Sequence, residues 1–236
     1  MNSNNKNSYD KSFFIYYGSA ACIHRLNEYQ TLVLDPDNYK DVNKFKSFTY
    51  AYLSIGEVNS FRNYFQCLKK NNKLLEKNSI WDSYLIKFDD FWENHIFNFI
   101  IPDIINSGYN GIMLDTIDTI IFNKLTSKDK LIAFINKIKV LYPSLKVMIN
   151  RGFEIINDLI VDSVLLESTI TTHDFQTKEY ILYEEPYKVN IKNSIKCYSV
   201  DYWHKNDSYM INKIRNVALN KGYIPLVTDI KLQDLP

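Results

Sequence analysis

Short apolar runs separated by longer segments recur along the chain. They are Phe13–Tyr17, Thr31–Leu34, Phe48–Ile55, Ile112–Leu114, Leu145–Ile149, Ser163–Leu166, Ile195–Val200 and Tyr223–Val227. Each is too short for a helix and the right length for a buried strand. Most intervening segments have helical spacing. Phe61–Lys73 places Phe61, Tyr64, Phe65 and Leu68 on one face. Asp89–Ser107 does so with Phe91, Trp92, Ile96, Phe99 and Ile100, and Asp89 or Asp90 is a candidate N-cap. Ser127–Tyr142 repeats the pattern behind a Ser127 cap, and Ser208–Lys221 ends at Gly222. Ala20–Tyr29, Phe153–Ile160 and Asp174–Tyr183 read as shorter helices. Trp81–Phe88 fits neither period and reads as an excursion beyond the third strand.

Strands alternating with helices predict parallel βα units. Eight such units in ~250 residues have the size of a (β/α)8 TIM barrel. The expected architecture is therefore α/β, a single barrel domain over residues 13–236, with the eighth helix truncated or absent. A doubly wound open sheet is the alternative. It usually carries a glycine-rich phosphate turn after its first strand. Gly18–Ser19–Ala20–Ala21 stands there instead.

Composition removes some functions without choosing one. Residues 1–12 are polar and asparagine-rich, expected to be disordered, with no apolar core of a signal peptide. No run of 18 apolar residues predicts a membrane span. The net charge of +1 gives no basic field for nucleic acid. The three cysteines, Cys22, Cys67 and Cys197, are far apart and form neither a disulfide framework nor a zinc pattern. The four histidines lack i, i+4 ligand spacing.

The chemistry lies where strands end. Asp35 and Asp37 follow the second run, Glu57 the third, and Asp115 and Asp118 the fourth. Asn150 and Arg151 follow the fifth, Glu167 the sixth, and Asp201 the seventh. In a barrel all of these exits lie on the C-terminal face, where active sites sit. Carboxylates without His or Cys partners suit glycoside hydrolysis, which needs one acid to protonate a leaving oxygen and another to attack or activate water. Tyr16, Tyr17, Tyr39, Tyr202 and Trp203 are candidates to stack on sugar rings. Two other uses of an acid ring stay open: a divalent-metal site for lyase or aldolase chemistry, and catalytically silent binding of a carbohydrate. Asp201 and Asp229 at the last two exits would repel the phosphate that many barrels bind there.

The motifs YYG at Tyr16–Gly18, LDPDNY at Leu34–Tyr39, YLSIGEVNSFRNY at Tyr52–Tyr64 and GYNGIMLDTIDT at Gly108–Thr119 resemble those of glycoside hydrolase family 114. VMINRGFE at Val147–Glu154, LLES at Leu165–Ser168, VDYW at Val200–Trp203 and the closing YIPLVTDIKLQDLP follow in the same order. The family comprises endo-α-1,4-polygalactosaminidases and their relatives, which are mostly secreted or membrane-tethered. The resemblance implies a barrel glycosidase without cofactor, acting on galactosamine-containing poly- or oligosaccharide. It implies Asp115 as nucleophile and Glu167 as acid/base. Tyr16, Asp35, Glu57, Arg62, Asp118, Asn150, Asp201 and Tyr202 are then expected to shape the substrate site. Exits four and six lie two strands apart, roughly 9–10 Å between backbones. Two inward-leaning carboxyls there approach ~5–5.5 Å, the spacing of a retaining pair.

Overall fold

The computed structural model describes residues 11–19, 23–192 and 194–235. The first ten residues, expected to be disordered, and the start of the Ala20–Tyr29 helix lie outside them. Eight strands form one sheet: β1 (Phe13–Tyr16), β2 (Thr31–Leu34), β3 (Phe48–Ser54), β7 (Gly111–Asp115), β8 (Lys146–Asn150), β9 (Ser163–Glu167), β12 (Lys196–Tyr202) and β13 (Ile224–Thr228). They neighbour one another in that order and every pairing is parallel. β13 comes back beside β1, and Tyr17 N donates to Leu232 O at 2.8 Å across the seam. The fold is a nearly closed, single-domain (β/α)8 barrel. All eight strands match the apolar runs in the sequence to within two residues.

Strand alternation fills the barrel with one parity of side chains. Phe13 and Tyr198 meet inside, ring centroids 4.5 Å apart. The Tyr50 hydroxyl pairs with Ser163 Oγ at 3.3 Å, and Tyr198 with Thr31 Oγ1 at 3.4 Å. Buried hydroxyls thus satisfy one another across the lumen, which is a packed core and not a pore.

The helices are shorter than the spacing predicts. They are α1 (Ile23–Leu26), α2 (Phe65–Lys70), α3 (Asp90–His95), α4 (Ile101–Asn106), α5 (Ile117–Phe122), α6 (Lys128–Leu141) and α7 (Ser208–Asn220). Asp89 caps α3 through Trp92 N, and Ser127 caps α6 through Lys130 N, as expected. A π-helical turn, Ile96–Ile100, joins α3 to α4. It ends two residues before Pro102, whose ring disfavours a regular turn before it. Phe61 lies outside α2 and is exposed. Residues 153–160 form turns with one 3-10 turn, Ile156–Asp158.

Two insertions interrupt the βα rhythm. The excursion after β3 is a three-stranded antiparallel sheet of β4 (Glu57–Asn59), β5 (Leu74–Asn78) and β6 (Ser83–Ile86). The segment expected as helix Asp174–Tyr183 is instead a hairpin of β10 (Thr171–His173) and β11 (Tyr180–Leu182). Asp174 is the cause. Its carboxylate accepts Gln176 N at 2.8 Å and Thr177 N at 3.3 Å, and its backbone closes on Lys178 and Glu179. Such a side-chain turn competes with helix.

Candidate active site

Asp115, Asn150 and Glu167 are the last residues of β7, β8 and β9. Each is followed at once by a non-glycine residue at positive φ: Thr116 at 65°, Arg151 at 57° and Ser168 at 53°. The chain thus turns away sharply after presenting each polar group. For β-branched Thr116 this backbone is strained. Its hydroxyl repays part of the strain by donating to Asp115 O at 2.5 Å, and it receives Gly56 N at 2.7 Å.

One amide joins the two acids. Asn150 Nδ2 donates to Asp115 Oδ1 at 2.8 Å and to Glu167 Oε2 at 2.5 Å. Two bonds from one nitrogen cap the distance between those oxygens at their summed length, about 5.3 Å. The ~120° fan of an amide's N–H bonds brings it nearer 4.6 Å. Asn150 Oδ1 is buried without a hydrogen-bond partner among the described residues. Both donors are drawn to the acids at that cost.

Further donors fix each carboxyl. Tyr52 OH donates to Asp115 Oδ2 at 2.9 Å and Thr116 N to Asp115 Oδ1 at 2.7 Å. Tyr202 OH donates to Glu167 Oε1 at 2.5 Å. Tyr17 packs on Tyr52 with ring centroids 4.8 Å apart. Burial, and then the charge of Asp115 or Glu167, pushes the phenols of Tyr17, Tyr52 and Tyr202 well above the ordinary value. They stay protonated and act as donors. Burial first, then the Glu167 charge, raises the Asp115 carboxyl to about 6 against the pull of Asn150, Thr116 and Tyr52.

The other expected residues separate into three groups. Asp35 faces the lumen but is neutralised: Arg62 Nη1 holds it at 2.6 Å and Asp37 at 2.7 Å, and lies over the Tyr52 ring. These ion pairs raise the Arg62 guanidinium above its ordinary value despite burial. Glu57 turns to the first insertion, accepting from Ser83, from Asn78 at 3.2 Å and from Thr119 at 3.1 Å. Asp118 accepts Arg151 Nε at 2.7 Å and Gly152 N at 2.9 Å, and lines a cleft of about 470 Å³ with Glu57 and Phe122. A second cleft, of about 600 Å³, opens beside Arg62 and Tyr52. Asp115 and Glu167 line neither cleft.

Tyr16 and Asp201 lie off the site. Register explains both. Tyr50 and Val33 pair and face inward, as does Ile15, so Tyr17 faces the lumen and Tyr16 faces out. Tyr16 packs against Tyr39, which is itself buried on Ser19 O. Val200 pairs with inward Glu167, so Tyr202 faces in and Asp201 faces out. Asp201 is 1% exposed and accepts Ile170 N at 2.8 Å and Thr171 N at 2.9 Å. Tyr52 carried no strand-exit signal and was missed. Counting alternate residues back from Ser54, which pairs with Asp115, finds it. Among the described residues no group of three or more His, Cys, Asp or Glu is placed to hold a metal ion.

The comparisons with known proteins agree with this fold. The model of glycoside-hydrolase family GH114 matches residues 5–235. The glycoside hydrolase domain of PelA from Pseudomonas aeruginosa superposes with a TM-score of 0.76 at 20% identity, covering 95% of this chain and 96% of that one. Ega3 from Aspergillus fumigatus, solved in complex with galactosamine, gives 0.68 at 12% identity, covering 94% and 92%. Identities this low carry the fold alone. No curated protein matches the chain.

Proposed function

The chain belongs to glycoside-hydrolase family GH114, and on that premise we propose that it cleaves α-1,4-linked galactosamine polymer with retention, using Asp115 and Glu167. The observation that carries this reading is the shared Asn150 amide. It keeps the nearest carboxyl oxygens within about 5.3 Å, the range of a retaining pair and short of the ~6.5–9.5 Å of an inverting one.

Glu167 gives its proton to the glycosidic oxygen as the C1–O bond breaks. An Asp115 oxygen attacks C1 from the opposite face and forms a glycosyl ester. Glu167, now ionised, takes a proton from water, whose oxygen attacks C1 and releases Asp115. Asp115 has three donors aimed at it from Tyr52, Thr116 and Asn150, which orient it and favour its ionised form. Tyr202 and Asn150 hold Glu167 in place. Arg62 offsets one of the two charges on Asp35 and Asp37, so a net negative charge stays beside the reacting pair at the mouth.

Amino-sugar preference follows from that charge. An ammonium is attracted to a carboxylate-lined mouth, more strongly at low salt. The galactosamine bound to Ega3 supports the same substrate class. Deacetylated α-1,4-galactosamine oligomers should therefore be cut faster than N-acetylated ones, with the gap closing as salt is added. Mass spectrometry of the fragments reads this. No cleavage of either oligomer would overturn the substrate, and equal salt-independent rates would overturn the role of the ammonium.

A further inference from the structure

The two insertions leave the barrel at the same end and meet. β4–β6 follow β3, and the β10–β11 hairpin follows β9. β3 and β9 flank β7 and β8, whose exits carry Asp115 and Asn150. Trp81 is in the turn before β6, and Phe175 is in the turn between β10 and β11. Their rings touch edge to face, centroids 5.0 Å apart at 80°. The contact runs on through His173, 4.8 Å from Phe175, to Tyr180 at 5.2 Å.

This aromatic seam is held in place and yet open. Asn59 Nδ2 donates to Trp81 O at 2.9 Å and anchors the first turn, while Asp174 builds the second. Trp81 nevertheless remains 49% exposed and Phe175 42%. Rings recruited only for packing would hide more of their faces. The buried His173 Nδ1 behind Phe175 has no hydrogen-bond partner among the described residues. Three carboxylates adjoin the seam: Asp82, paired with Lys77 at 2.5 Å, Asp174, which accepts Gln176 N and Thr177 N, and Glu179, 4.0 Å from His204. Two exposed ring faces side by side are complementary to the apolar C–H face of a sugar ring.

We propose that Trp81 and Phe175 form a distal sugar subsite, on which one unit of the polymer rests while another occupies the Asp115–Glu167 pair. The subsite rests on the substrate reading above and adds a length preference to it. Because the two turns already hold each other, the platform costs little to organise on binding.

The test compares chain lengths. For Trp81→Ala and Phe175→Ala, kcat/KM on oligomers of about ten deacetylated units should fall about three- to tenfold. On an aryl galactosaminide too short to reach the seam it should not change. Trp81→Phe should keep most of the long-chain rate, and unchanged melting temperatures exclude misfolding. Equal losses on both substrates, or no loss on the long one, would overturn the subsite. Cleavage by the wild type tests the substrate reading separately. If the wild type leaves the oligomer uncut, the same ratio is read as binding affinity from quenching of tryptophan emission, with the same two outcomes.

Discussion

Asp115 and Asp201 are both strand carboxyls raised to about 6 by burial, yet they serve opposite ends. Asp115 faces the lumen at the mouth, beside a second carboxyl, held by a phenol, an amide and a backbone N–H. Asp201 faces out from β12 into the layer where Ile170, Ile214 and Ala218 pack. Its Oδ1 ties down the backbone just after Glu167, and its Oδ2 has no partner among the described residues. A raised carboxyl is therefore not by itself a catalytic mark. Orientation toward the lumen and a carboxyl neighbour separate the acid proposed to react from the one that holds the backbone.

The sharpest way to break that distinction is substitution. Asp115→Asn and Glu167→Gln should each lower turnover on the order of 10⁴-fold, with folding intact. Azide should restore Glu167→Gln on substrates with good leaving groups. Asp201→Ala should instead destabilise the fold by about 1–3 kcal/mol, because Ile170 N and Thr171 N lose a buried acceptor. Its turnover per folded molecule should stay within about tenfold of wild type. Urea titration with kinetics on the same samples checks both. A catalytically dead but fully stable Asp201→Ala would reverse the assignment.

Stability against pH gives a smaller effect. The native Asp201 carboxyl is near 6, while the unfolded chain has the ordinary 3.8. The native state then binds the proton more tightly, so this group's burden is greatest above 6 and is relieved as pH falls toward 4. Over that window it contributes on the order of 2–3 kcal/mol, and Asp201→Asn should remove the contribution. Chemical denaturation at pH 7.5 and 4 measures it, and an unchanged pH slope in the variant would count against it.

Much of the fold was legible in the sequence, because short apolar runs and helical periods report burial directly. All eight barrel strands and the caps at Asp89 and Ser127 were readable. The acids at the exits of β7 and β9 were readable too, as they end buried runs. Facing direction was not. A strand exit names a residue without fixing parity, so Tyr16 was favoured where register presents Tyr17, and Asp201 was expected beside Tyr202 where only one of the pair can face inward. The hairpin at β10–β11 was missed because Asp174 builds its turn through side-chain contacts that periodicity does not record. Tyr52 was hidden in an apolar run, where its hydroxyl looks like core until the opposing strand is known.

The smallest expected effect is kinetic. Below about 6 Asp115 takes up a proton and can no longer attack, so the rate should fall on the acid side with a midpoint there. Glu167→Gln removes the neighbouring charge but leaves burial, so its activity on an activated aryl glycoside should fall with a midpoint shifted to lower pH yet still above the ordinary 3.8. An unmoved midpoint would separate the two carboxyls electrostatically, despite their shared amide.

The central claim is attack by Asp115 across a pair spaced for retention rather than inversion. The anomer released first from an α-1,4-linked galactosamine oligomer tests it most directly, followed by proton NMR before mutarotation. The account predicts the α anomer, with the β form appearing only later. The β anomer as first product would contradict it.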